Sequence, residues 1–236
     1  MDRGSPTGRP DVALPRSRIK VFRDEHPWLG WTIFLLAGVY FLAQLAAAAV
    51  WRPRYSFANN VISDLGNTSC SVTLCSPRHS VVNGSFIVLG LVMASGSLLI
   101  FQEFTDRGPD QRRAALLGFS AMGVAGLGAV VVGIFPENTV HLVHYAGAGV
   151  AISVGTAAIF GLGWVLVLPS ALTWFMRLFP PISLVALALF AVGIYLGLGK
   201  GTIERVAAYP EVVWLILFAL YISRDHYEKA RAGLPR

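Results

Sequence analysis

Charge is what this sequence has least of. Of its 236 residues only 14% are Asp, Glu, Lys or Arg, while 55% are hydrophobic and the mean hydropathy is +0.60. A soluble domain carries about 25% charged and about 45–50% apolar residues. A soluble domain of this composition would not cover its own core, and the same figures exclude disorder for the bulk of the chain. Cysteine is nearly absent too. Cys70 and Cys75 are the only two, and their spacing is not the CxxC of redox or zinc motifs. No internal repeat is present. No basic–aromatic motif accompanies the net charge of +6, so nucleic acid is not expected as a partner.

What the sequence does have is long apolar runs, at 28–51, 82–102, 114–135, 142–167, 179–199 and 206–223. A helix needs about 20 apolar residues to cross a hydrocarbon core of about 30 Å. Five runs meet this comfortably. The sixth is short, interrupted by Pro210 and crowded at its start by Glu204, Arg205 and Glu211, which predicts a kinked or tilted helix. The fold class is all-α: a polytopic bundle of six transmembrane helices over 28–223. A basic, disordered tail is expected at 1–27 and a second tail at 224–236. The first run is too long for a signal-peptide core of about 7–15 residues and reads as an uncleaved helix.

Lys and Arg are unevenly distributed. The N-terminal tail holds Arg3, Arg9, Arg16, Arg18, Lys20 and Arg23, and the second connection Arg107, Arg112 and Arg113. Arg177 lies in the fourth connection, and Arg224, Lys229, Arg231 and Arg236 lie in the C-terminal tail. The opposite side has Arg52, Arg54, Arg78, Lys200 and Arg205. The positive-inside rule then puts both termini in the cytoplasm, the parity that an even number of spans requires. Trp28, Trp31, Trp51, Trp164, Trp174 and Tyr55 fall near helix ends, as in an interfacial aromatic belt. Small residues recur at every fourth position: Ala125, Ala129, Gly133; Gly149, Ser153, Ala157, Gly161; and Gly193, Gly197, Gly201. They read as packing rows that let helix backbones approach.

The residues with chemical potential collect in the three external connections. The first, about 52–81, carries Tyr55, Asn59, Asn60, Ser63, Asp64 and Asn67 ahead of the cysteine pair. An oxidising compartment there permits a Cys70–Cys75 disulfide, with two free thiols as the alternative. The second carries Glu137, His141, His144 and Tyr145. Pro136 suits the first turn of a helix and Glu137 its positive end. At 100° per residue Glu137, His141 and His144 would share a face. The third carries Lys200, Glu204 and Arg205, with Lys200 and Glu204 spaced for an i,i+4 pair. His26 and His226 read as surface residues of the cytoplasmic flanks. No charged residue is expected at the middle of a helix, which weighs against a transport pathway.

The Asn60-x-x-Ser63-Asp64-Leu65-Gly66 core, Gly133-Ile-Phe-Pro136 followed by His141 and His144, and Gly201 with Glu204-Arg205 occur in that order. Together they resemble the bacterial membrane family catalogued as domain of unknown function nine-nine-eight, over nearly the whole chain after the N-terminal tail. The resemblance implies a six-helix integral protein of a bacterial plasma membrane, and it brings no established substrate, cofactor or catalytic residue. Ser63, Asp64, His79, His141 and His144 are also similar in type to the set in membrane hydrolases of the alkaline ceramidase and adiponectin-receptor kind. Those hold zinc with three histidines, beside a Ser and an Asp, inside seven helices. Six spans and the lack of an H-x-x-x-H pair depart from that pattern.

Three functions follow as expectations. The first is non-catalytic: an assembly, sensing or partner protein in contact with membrane lipid, whose external cluster docks a membrane protein partner. The second is a metal-dependent hydrolase of a lipid-linked substrate at the outer leaflet. His79, His141 and His144 would hold Zn²⁺ with a fourth position open to water, and Asp64 would act as general base. Asn60, Ser63 and Glu204 would then bind substrate, and Arg205 would hold an anionic headgroup. The third is a small transporter.

Overall fold

The computed structural model describes residues 28–104 and 108–233, with 22, 25 and 26 before them. The expectation of a disordered tail falls mostly on residues outside that set. Six helices are long and apolar enough to cross a membrane: α1 (Leu29–Ala48), α2 (His79–Phe104), α3 (Pro109–Ile134), α4 (His141–Val165), α5 (Ser170–Ala191) and α6 (Lys200–Arg231). Among the described residues there is no β-strand, and one isolated bridge joins Arg52 to Cys75. The protein is a polytopic all-α membrane bundle.

Local chemistry explains most helix ends. α3 opens on Pro109, whose missing N–H costs nothing in a first turn. α4 opens at His141. The segment before it is a turn in which the Thr139 N–H donates to the Pro136 carbonyl at 2.9 Å, so Glu137 precedes the helix instead of lying in its first turn. The fifth helix is displaced from 179–199 to Ser170–Ala191, with Pro180 and Pro181 inside it. Residues 192–199 are apolar enough to extend a hydropathy run, but Gly193 and Gly197 take φ of 75° and 74° there, a turn conformation. The expected Gly193–Gly197–Gly201 row is therefore not on one helix, since only Gly201 is helical, in α6.

α6 is 32 residues long and starts six residues before the expected run. That start carries Glu211 about 16 Å into the helix at 1.5 Å per residue, which corrects the expectation that no charge sits at membrane depth. Pro210 removes the intrahelical donor for the Val206 carbonyl. Ser183 Oγ of α5 donates to that carbonyl instead, at 3.2 Å.

Each helix packs on its neighbours in sequence, and α6 closes the ring against α1. Phe34, Met93, Met122, Trp214, Leu215 and Phe218 fill the half nearer the chain termini, with the Trp214 and Phe218 rings stacked at 4.9 Å. Close backbone approach holds α2, α3 and α4 together. A Cβ on Gly128 would lie 2.7 Å from the Gly147 carbonyl oxygen, and Gly90 and Gly126 face each other in the same way. Ala125, Ala129 and Gly133 are buried as expected. The α4 row is not: Gly149 and Gly161 face open space, and the buried glycines are Gly147, Gly155 and Gly163. α4 is small-residue-rich all round, so spacing alone did not select its packing face. Trp28, Trp164 and Trp174 are exposed near helix ends like a belt, whereas Trp51 is buried beside Tyr55, Leu65 and Val82.

Candidate functional site

The three connections at the end of the ring away from the chain termini, the loop end, meet one another. Residues 55–66 form a compact cap over the helices. The Asn60 N–H donates to the Ser56 carbonyl at 2.7 Å, and the Ser56 N–H donates to Asn60 Oδ1 at 3.0 Å. Asp64 Oδ2 accepts from the Val61 N–H at 3.1 Å and faces Lys200 Nζ at 3.8 Å. Burial pushes the Asp64 carboxyl above its usual range, with Lys200 and the Val61 N–H opposing. Lys200 is thus engaged with Asp64 instead of forming the expected pair with Glu204, whose Oε2 accepts from the Ile62 N–H.

Arg205 fastens this cap to α6. Its Nη1 donates to the carbonyls of Phe57 (2.7 Å), Asn60 (2.9 Å) and Gly201 (2.8 Å), and its Nη2 to Tyr55 Oη (2.6 Å). Nε donates to Tyr209 Oη at 3.1 Å, and that hydroxyl donates to Gln44 Oε1 of α1 at 2.8 Å. Burial drives the Tyr55 phenol well above its usual range, against the pull of Arg205. A side chain at Gly201 would run into the Asn60 carbonyl, so α6 sits directly under the cap. Gly199, at φ 87°, makes the turn that brings it there.

The second connection joins the same assembly. Ser63 Oγ donates to Glu137 Oε2 at 2.6 Å, and Tyr145 Oη donates to Glu137 Oε1 at 2.7 Å. Asn138 accepts from the Thr68 N–H at 3.1 Å and donates to Thr68 Oγ1 at 2.9 Å. The Cys70–Cys75 disulfide closes the loop tip, so the free-thiol alternative falls.

The histidines do not converge. His144 is buried, and its Nδ1 donates to the Phe135 carbonyl at 2.8 Å. His141 is exposed, with its ring 4.3 Å from that of Tyr145, and His79 begins α2. Because α4 starts at His141, the shared helical face expected for Glu137, His141 and His144 does not form. Among the described residues no three His, Cys, Asp or Glu side chains are grouped to hold a metal ion. His79, His141 and His144 as placed do not form the zinc set expected of them. At the other end of the bundle, His226 Nε2 lies 3.5 Å from Glu103 Oε2 with both side chains largely buried, so it is not a simple surface residue.

Beneath the cap lies a cavity of about 70 Å³, roofed by Ile62 and Ser63 and walled by His144, Ala148, Glu204 and Glu211. Glu211 is 5% exposed, and its Oε1 has no hydrogen-bond partner. Gly155 of α4 leaves room for that carboxylate, because a Cβ there would overlap Oε1. Gln44 and Tyr209 were not expected at the site, and Glu211 was read only as crowding the start of the sixth run; its signal was an acidic residue after Pro210 inside an apolar stretch. A wider apolar groove of about 740 Å³ opens between α5 and α6, edged by Phe57, Phe179 and Val213.

No curated protein and no solved structure matches the chain. A family model described as "Protein of unknown function (DUF998)" matches residues 35–221. That span holds the cap, the cavity and the greater part of all six helices, and it includes the motif residues Asn60, Ser63, Asp64, His141, His144, Glu204 and Arg205. The chain belongs to the DUF998 family of integral membrane proteins.

Proposed function

We propose that this protein is a non-catalytic sensing protein of a bacterial plasma membrane. It takes a small polar ligand into the cavity under the cap and passes the state of that cavity to the cap through α6. The observation that carries this reading is Glu211, a buried carboxylate whose Oε1 has no hydrogen-bond partner, in the wall of a cavity whose roof is the cap itself. An orphaned buried polar group costs about 1–3 kcal/mol, more when charged, and a bound ligand offsets that cost. Glu204 ties the two parts together, since its side chain both lines the cavity and holds the Ile62 N–H. Asn60, Ser63, Asp64 and Arg205 then act as the frame of the cap, and its outer edge is the surface a membrane protein partner would read. Membrane lipid covers the apolar outer faces.

The uneven distribution of Lys and Arg supports a cytoplasmic location for both termini and an external cap. Passage through the bundle is disfavoured because Phe34, Trp214, Leu215 and Phe218 pack the half beyond the cavity.

Thiol labelling tests this. Both native cysteines are in the disulfide, so Ala148→Cys reports alone. A small cationic methanethiosulfonate should react with it in intact cells and not from the cytoplasmic face of inverted vesicles. Reaction from both faces would replace sensing by transport, and reaction from the cytoplasmic face alone would invert the orientation.

A further inference from the structure

The hydrogen-bond bookkeeping of the cavity specifies the chemistry of its ligand. Ser63, His144, Glu204 and Glu211 each bring an acceptor, and Tyr40, which also lines the cavity, brings a hydroxyl that can donate or accept. The Ser63 hydroxyl has spent its proton on Glu137 Oε2 at 2.6 Å, and Oγ is left with lone pairs. A carbonyl cannot donate, so His144 Nδ1 carries the hydrogen that bonds the Phe135 oxygen at 2.8 Å. In the neutral imidazole that leaves Nε2 as an acceptor. Glu204 keeps one carboxylate oxygen beyond the one bound by the Ile62 N–H, and Glu211 keeps Oε1 unpartnered. Among the described residues no Lys or Arg lines the cavity, and its walls include the small side chains Ala148, Ala151 and Ala208.

From this we infer that the cavity binds ammonium or a small primary amine. The inference rests on the ligand-binding reading above and names its ligand class. The ligand must bring several N–H donors and a positive charge, in the space of a few heavy atoms. Two carboxylates lining one low-dielectric cavity are expensive to ionise alone, and a cation inside the cavity offsets that cost. A bare metal ion is a poorer match, because these carboxylates and the imidazole are not grouped tightly enough to share one. An ammonium group reaches separate acceptors through separate N–H bonds.

The test is thermal unfolding of the full chain in lipid nanodiscs, titrated at constant ionic strength with ammonium, methylammonium, potassium or tetramethylammonium chloride. Ammonium and methylammonium should raise the midpoint saturably, by about 2–5 °C. Potassium has the charge without the donors, and tetramethylammonium has neither donors nor a fitting size; both should give no saturable rise. Glu211→Gln should weaken the ammonium response at least tenfold. Ala148→Leu fills the cavity while leaving every charge in place, and should do the same even if Glu211→Gln fails to fold. An equal response to potassium, or a wild-type response in Ala148→Leu, overturns the proposal. If no cation acts while Ala148→Cys still labels from outside, the amine assignment falls and the ligand-binding reading stands. If Ala148→Cys is unreactive from either face, both fall.

Discussion

The two ends of this bundle use the same charged residue types in opposite ways. At the end holding the chain termini, Arg224 pairs with Glu228 and Lys229 with Asp225, both at 2.7 Å and four residues apart on the exposed part of α6. At the loop end Arg205 is 8% exposed and shares its donors among three backbone carbonyls and two tyrosine hydroxyls. The first arrangement is solvated, and its pairs contribute little to stability. The second holds a loop on a helix, and its loss removes a donor from all five of those groups at once. Charges that look alike in the sequence therefore differ in what they hold: the terminal ones pair with each other in solvent, and the buried ones build the site.

The comparison breaks most visibly at Arg205. Arg205→Ala should cost about 3–5 kcal/mol, the scale for removing one partner from a buried charged network. Chemical unfolding in mild detergent reads it, and Arg205→Lys should recover only part of the loss because an ammonium lacks the planar fork. Next in size is Gly155→Ala. The new methyl overlaps the Glu211 carboxylate, and overpacking of this kind costs about 1–3 kcal/mol. Gly161→Ala on the same helix meets nothing within 4 Å and should be neutral or better by about 0.5–1 kcal/mol.

A smaller effect is expected in the pH dependence of the cap. Burial raises the folded carboxyl of Asp64 above the usual value of 3.8, so over that interval the folded state holds more protons than the unfolded one. Stability from this group is therefore fully present in acid and falls as pH rises from 3.8 through the raised value. Asp64→Asn should flatten that fall when unfolding is followed across the acid range, and a slope equal to the wild type would contradict it. Smallest of all, Arg224→Ala should leave the unfolding midpoint unchanged, and a measurable loss would erase the contrast between the ends.

Much of the architecture was legible because lipid imposes a simple rule. Each span must be apolar for its full length, and α1 to α4 lie close to the runs that show it. The fifth and sixth helices were misplaced where that rule is silent. Residues 192–199 are apolar but turn at glycines, and α6 carries Glu204, Arg205 and Glu211 inside a helix that hydropathy alone would start later. The cap residues Asn60, Ser63 and Asp64 and the partners Glu204 and Arg205 were visible as polar groups on one side of the chain. Their bonds were not, because the acceptors of Arg205 are mainly backbone carbonyls, which no side-chain pattern encodes. The expected face of Glu137, His141 and His144 depended on a helix start four residues too early.

Hydrogen exchange at the Ile62 amide tests the central claim most directly, because that N–H joins the cap to Glu204 above the cavity. If the cap is locked to α6, Ile62 should exchange as slowly as the bundle helices, far more slowly than the exposed tip around Val72, and Arg205→Ala should release it. Exchange of Ile62 at the rate of Val72 in the wild-type protein would contradict the account.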